Sequence, residues 1–249
     1  MSEIEGIYAV WLREFKVYIR EKERVVSSLV SPILWLVAFG VGVGSTVTME
    51  GVNYRVYIYP GILVMSVLFS SMFYGVYVIW DRRLDFLKEV LVAPLSRVSI
   101  FIGKVLGGCT TVMVQTTAIM VIGYFIGLSL SLDAFLEAFA LLFLLSIALV
   151  SLGLSIGANM RSPEGFMLVA NFVIWPLFFF SGALFTLSNL PAWLSGVTSA
   201  NPITYGVDSV RGATIGIRHF PMAVDIAVML IFSLLAIVAG AWSFRRMHD

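Results

Sequence analysis

The residues able to do chemistry in this chain are few and unevenly placed. Two histidines, His219 and His248, stand near the ends of apolar runs, and the single cysteine, Cys109, lies inside one. That set builds neither a metal site nor a Ser-His-Asp triad, and Cys109 reads as a small packing residue. Gly103-Lys104 is followed by Val105 and lacks the earlier glycine of a GxxxxGK[ST] phosphate loop. Ion-coupled carriers keep ionisable residues at the bilayer midplane, whereas Glu137 and Asp225 sit only a few residues inside their apolar runs. Asp225 with Arg218, and Asp208 with Arg211 at i, i+3, are the expected ion pairs. What remains is one densely charged stretch, Asp81 to Lys104, reading DRRLDFLKEVLVAPLSRVSIFIGK between long apolar runs. Its chemistry is recognition: a charged helix offered to a partner, or, on spacing alone, a solvated loop helix.

The elements that must position this island are set by composition. The 249 residues are 59% hydrophobic and 12% charged, about half the charged share of ordinary soluble domains. With its long uncharged runs, the chain reads as an all-α polytopic membrane protein with six transmembrane helices. No cleavable signal peptide is expected, because the first 24 residues carry charge throughout.

Ser2 to Arg24 reads as an amphipathic helix, with Ser2 and Glu5 as a capping box. Ile4, Ile7, Tyr8, Trp11, Phe15, Tyr18 and Ile19 fall on one face. Two tyrosines and a tryptophan suit the headgroup level, so the helix is expected along the membrane surface; packing on a partner is the alternative. The spans are expected at about 25–47, 58–80, 99–128, 135–160, 165–187 and 222–244, within a single transmembrane domain covering 1–249. Residues 48–57 read as a short polar loop. Asp81 is expected to cap a cytoplasmic helix over 81–93 that Pro94 stops. Its apolar edge is Leu84, Leu87 and Leu91, with Arg82, Arg83, Asp85, Lys88 and Glu89 outward.

Gly103 with Gly107, Gly123 with Gly127, and Gly153 with Gly157 let helices approach closely. Thr111 and Gln115, in the third span, either bond across helices or line a path. Residues 188–221 are too broken for a span and too apolar for a free loop. Pro191 suits a first helical turn and Asn201-Pro202 forces a break, giving two short re-entrant helices at 191–198 and 204–215. Six spans put both termini on one side. Thirteen of the sixteen Lys and Arg lie on that side, which the positive-inside rule makes cytoplasmic.

The island, as RR-x-x-F-L-K-E-V-L-V-A-P-L-S-R followed by Gly103-Lys104-x-Leu106-Gly107-Gly108, resembles the coupling region of type-2 ABC exporter permeases. So does Ser181-Gly182-Ala183-Leu184-Phe185 through Leu190-Pro191-x-Trp193-Leu194 to Asn201-Pro202-x-Thr204-Tyr205-Gly206-x-Asp208-x-x-Arg211. The similarity spans essentially the whole chain and is greatest to the daunorubicin-type drug and nodulation-factor exporter branch. Asp85 departs from it, standing where that branch commonly has glycine.

The resemblance implies an inner-membrane subunit that itself lacks an ATP site. It would work with two copies of a separate ABC ATPase carrying ATP and magnesium and with a second permease chain, a homodimer being expected. Membrane lipids are its other partners, and nucleic acid is none. Arg82, Arg83 and Glu89 match charged coupling positions, Phe86 and Leu87 would plug the ATPase surface, and Pro94 ends the helix. Pro191, Trp193, Asn201, Pro202, Tyr205, Asp208 and Arg211 would close the exit. Phe69, Phe73, Phe172, Trp175 and Phe179, with Thr111 and Gln115, would line the path, though aromatic faces are more often packing or lipid-facing. The cargo so implied is amphipathic, lipid-linked or glycan-type; an ion-coupled carrier is the runner-up reading.

Overall fold

A computed structural model describes residues 3–44, 47–83, 95–125, 130–188 and 190–247. The helices are α1 (Glu3–Arg20), α2 (Lys22–Gly42), α3 (Tyr54–Tyr74), α4 (Val76–Arg83), α5 (Arg97–Phe125), α6 (Leu132–Asn159), α7 (Pro163–Phe179), α8 (Ala192–Ala200), α9 (Pro202–Ile215) and α10 (Met222–Arg246). Four stretches are long and apolar enough to cross a membrane: 54–83, which is α3 continued by α4, then α5, α6 and α10. The apolar helices at 26–40 and 163–179 are shorter. The fifth span expected to reach Leu187 instead ends at Phe179, where Ser181 and Gly182 (φ 72°) turn the chain.

The loop expected at 48–57 is corrected. It is a hairpin of β1 (Thr48–Met49) and β2 (Val52–Asn53), and α3 follows at once. Glu50 and Gly51 both have positive φ, 51° and 79°, the backbone of a two-residue type I′ turn. Asn53 then caps α3 by accepting from the Arg55 N–H at 2.9 Å.

Helix α3 is buried almost all round from Tyr57 to Leu68, as expected of a helix apolar on every side at the centre of a bundle. It packs against α2, α5, α6, α7 and α9, while α10 lies along α6. The chain breaks at Gly75, because α6 passes there at glycine range. A Cβ on Gly75 would stand 2.0 Å from the Gly153 carbonyl oxygen, and one on Gly157 would stand 2.1 Å from that of Gly75. The close-packing face read at 153 and 157 is therefore real, and Gly75 is its unnoticed partner.

Helix α1 runs alongside the first half of α5 in the same direction, but on a different face from the one expected. The buried stripe is Gly6, Val10, Glu14 and Tyr18. Of the seven residues assigned to the apolar face only Tyr18 is buried, and Ile4, Tyr8 and Ile19 are exposed. Contact is close because Gly103 and Gly107 of α5 face it: a Cβ on Gly107 would lie 2.6 Å from that of Glu14. The Trp11 indole donates to Thr110 Oγ1 at 3.0 Å, and Glu3 accepts from Ser96 N–H and Oγ at the start of α5.

Gly107→Leu should push α1 off α5 and cost about 2 kcal/mol or more by overpacking. It should lower both the melting temperature and the purification yield of the full chain in mild detergent. Unchanged melting would show that this face of α5 is not an interface.

Candidate functional site

Where α1, α4 and α5 meet, four charged side chains close on one another, Glu14, Asp81 and Lys104 buried and Arg13 half-buried at their edge. Lys104, on the fifth helix, is 2% exposed and donates to Glu14 Oε1 at 3.0 Å and to Asp81 Oδ2. Arg13 donates to Asp81 Oδ1 at 2.9 Å and to Glu14 Oε1 at 2.8 Å. Tyr74 donates its hydroxyl to Glu14 Oε2 at 2.8 Å. Two cations and two carboxylates leave the cluster formally neutral, which is the condition for burying charge at tolerable cost. Burial pushes the Glu14 carboxyl up, but the Lys104 charge and its hydrogen bond outweigh it and hold the group below its ordinary value of 4.5.

Asp81 therefore does not take the cap position expected of it at the start of 81–93. It lies inside α4, which runs on to Arg83, and turns inward to Arg13 and Lys104. Arg82 donates to the carbonyls of Ala158 and Met160 at 2.9 and 3.1 Å. These belong to the end of α6, where backbone acceptors lack helical donors and the dipole favours a cation. Arg83 is exposed, its guanidinium 6.0 Å from the Trp80 ring centroid. Phe86, Leu87, Glu89 and Pro94 lie outside the described residues. On the far side of them Ser96 caps α5, accepting from the Ser99 N–H at 3.1 Å. The described chain stops at Arg83 and resumes at Leu95, and both of these ends are anchored to fixed helices.

Beside the cluster lies a cavity of about 480 Å³ between α2, α3 and α5. Of the residues expected to line a path, Phe69, Phe73, Thr111 and Gln115 line it. Phe172, Trp175 and Phe179 do not: they form the outer side of α7, with Phe172 79% exposed. Trp175 packs edge-on against Phe69 at 5.1 Å and stacks on Phe179 at 5.4 Å. Thr111 Oγ1 is turned back to the Gly107 carbonyl at 3.0 Å.

At the opposite end, two short helices fill the space after α7. Asn201 joins three elements: its amide donates to the Leu177 carbonyl at 2.8 Å, and its oxygen caps α9 through the Ile203 N–H at 3.0 Å. Pro202 opens α9, while Pro191 precedes α8 as its cap residue rather than entering the first turn. Tyr205 donates to the Ser199 carbonyl at 2.8 Å, and Trp193 is 66% exposed.

The expected ion pairs here are corrected. Asp208 accepts from the N–H groups of His219 and Phe220 at 2.8–2.9 Å, so its charge fixes the chain beyond α9. Arg211 donates to the Gly182 carbonyl at 2.8 Å and lies 4.2 Å over the Tyr57 ring. Arg218 pairs with Glu137 at 3.6 Å, not with Asp225. Asp225 is buried, and neither carboxylate oxygen has a hydrogen-bond partner among the described residues.

The chain matches the ABC-2 type transporter family over residues 5–215. It belongs to that family. Relatives include the inner membrane transport permease YadH of Escherichia coli K12, 29% identical over 96% of this chain and 93% of the relative. Nodulation protein J of Rhizobium leguminosarum bv. viciae is 24% identical over 96% and 93%. The putative transport permease ycf38 of Cyanophora paradoxa is 30% identical over 84% of this chain and 73% of its own length. The resemblance read from the two motifs is thereby shown: this is a type-2 ABC permease, a multi-pass membrane transport subunit.

In this permease the ion cluster was not foreseen. Lys104 stood among the cytoplasmic charges in the count of positive residues. Its place seven residues inside an apolar helix, with Glu14 on the same stripe as Gly6 and Val10, was the available signal.

Lys104→Met should destabilise the permease by about 3 kcal/mol, because it strands two buried carboxylates. The triple replacement Lys104→Met, Glu14→Gln and Asp81→Asn should recover much of the loss, as a thermal unfolding cycle would measure. Glu14's depressed folded value means that its contribution is complete above the ordinary value of 4.5 and is lost progressively below it, as pH falls through the lower folded value. Melting should therefore weaken below pH 4.5 in the wild type and less so in Glu14→Gln.

Proposed function

We propose that this permease exports an amphipathic, lipid-linked or glycan-type cargo, driven by a separate ABC ATPase that docks on the segment 81–94. The observation that carries this is the anchoring of that segment. Its near end is fixed in α4 beside the charge cluster and against the end of α6, and its far end at the start of α5, so a push on it is delivered to α1, α5 and α6 together. In this reading Arg83, Phe86, Leu87 and Glu89 face the ATPase, and Pro94 ends the docking helix. Arg82 contributes through its hold on α6. ATP and magnesium are bound by the ATPase, two copies of which serve two copies of this permease.

The reading includes six spans, α2 and α7 completing the four longer ones, with both termini in the cytoplasm of an inner-membrane protein. The positive-inside asymmetry, and the name of the Escherichia coli relative as an inner membrane transport permease, support it. Helix α1 keeps Ile4, Tyr8 and Ile19 toward the bilayer surface while its small face grips α5. Helices α8 and α9 close the outer end. Pro191 and Trp193 stand on its exposed part, and Asn201, Pro202, Tyr205, Asp208 and Arg211 hold its frame.

Glu89→Ala and Arg83→Ala should leave expression and folding intact and lower ATP-dependent transport at least tenfold, with residual ATP hydrolysis no longer matched by transport. Full transport in both variants would remove the docking role. A cysteine placed by Ser195→Cys, on exposed α8, should react with an impermeant maleimide from outside intact cells. Reaction only after the membrane is opened would reverse the orientation.

A further inference from the structure

Helix α2 contains Pro32. A proline inside a helix has no N–H for the carbonyl four residues earlier, here that of Ser28. That carbonyl is taken instead by Gln115 of α5, whose Nε2 donates to it at 3.0 Å. The amide oxygen of Gln115 in turn accepts from Ser70 Oγ of α3 at 2.6 Å. One side chain therefore bridges three helices at the one place where α2 lacks its own backbone bond. Ser28, Ser31, Pro32, Phe69, Ser70 and Gln115 all line the 480 Å³ cavity, whose volume falls in the range of small-molecule sites.

The bond that spans the cavity wall dictates what can replace it. Anything inserted between Gln115 Nε2 and the Ser28 carbonyl must accept from the first and donate to the second to keep both ends of this part-buried bond satisfied. A hydroxyl does both. A sulfate or carboxylate accepts but leaves the carbonyl without a donor, and an ammonium donates but leaves the amide without an acceptor. No Asp, Glu, Lys, Arg or His lines the cavity among the described residues, so a charged head would also go uncompensated. The remaining walls are aromatic and aliphatic (Phe69, Phe73, Met65) and suit a hydrocarbon chain or the flat face of a ring.

We propose that this cavity binds an uncharged amphiphile carrying hydroxyl groups. One hydroxyl inserts between Gln115 and the Ser28 carbonyl and frees α2 to bend at Pro32. Gln115 is then both the polar contact that selects the ligand and the latch that holds α2 closed without it. This rests on the transport reading above and narrows its cargo, but binding at the cavity needs neither ATP nor the ATPase.

The test uses the full chain in lipid nanodiscs without nucleotide. Two photoactivatable probes of equal alkyl length are compared, an alkyl glucoside and an alkyl sulfate, with cross-links mapped by mass spectrometry. Saturable labelling of peptides containing Met65 and Phe69 by the glucoside is expected, at least tenfold above the sulfate. Gln115→Leu should weaken it roughly fivefold, as the loss of one hydrogen bond implies, and Ser70→Ala should weaken it less. A cysteine placed by Ser31→Cys should react faster with maleimide when the glucoside is bound, and be fast without it in Gln115→Leu.

Equal labelling by both probes, meaning tail partition only, would overturn the proposal. So would glucoside binding or Ser31→Cys reactivity indifferent to Gln115→Leu in a normally folded variant. ATP-driven transport that persists without such labelling would overturn this inference alone. The expected labelling, in a permease that recruits no ATPase from its native membrane, would leave this inference standing and remove the transport mechanism proposed above.

Discussion

A buried lysine must have its charge answered, and in this permease the answer organises the end of the bundle where α1, α4 and α5 meet. Lys104 reaches one carboxylate on α1 and one on α4, and Arg13 reaches both from the other side. Desolvating four charges is expensive, and their attraction repays it only while all four stay in place. The cluster is therefore weak as a source of net stability and strong as a constraint on position. It allows one register of α1 on α5, and Gly103 and Gly107 make that register close enough for Glu14 to reach Lys104.

The same economy recurs along the molecule. Arg82 satisfies the end of α6, Asn201 satisfies the end of α7 and the start of α9, and Arg211 satisfies the turn at Gly182. Each lies where a helix stops within an apolar bundle and its backbone groups have no water to turn to. Polar side chains read from the sequence as a gate or a docking face thus also serve as helix terminators. The two roles are compatible, since a residue that ends one helix on another is well placed to transmit movement between them.

Much of this was legible in the sequence. Hydropathy gave the apolar segments, and Asn201-Pro202 marked the junction of α8 and α9. The glycine spacings at 103/107 and 153/157 identified two faces that do pack closely. What escaped was pairing across long separations. Arg218 finds Glu137 rather than Asp225, and Asp208 takes two backbone N–H groups rather than Arg211, because i, i+3 spacing says who is near on one helix and nothing of what another element offers. The buried face of α1 was misjudged for a related reason: the hydrophobic stripe pointed outward, since close helix contact here selects small residues and one carboxylate over bulk. Gln115 does bond across helices, one of its two readings, but its partner could be named only once Pro32 was seen to free the Ser28 carbonyl.

The most direct test of the transport account is what leaves the membrane with this chain. The tagged permease is solubilised gently from its native membrane, and its companions are identified by mass spectrometry, with Arg83 and Glu89 intact and then both replaced by alanine. Recovery of a P-loop ATPase with the intact chain, and its loss from the double variant, is the expected result. An intact permease that emerges without an ATPase, under conditions that hold other ABC complexes together, would contradict the account.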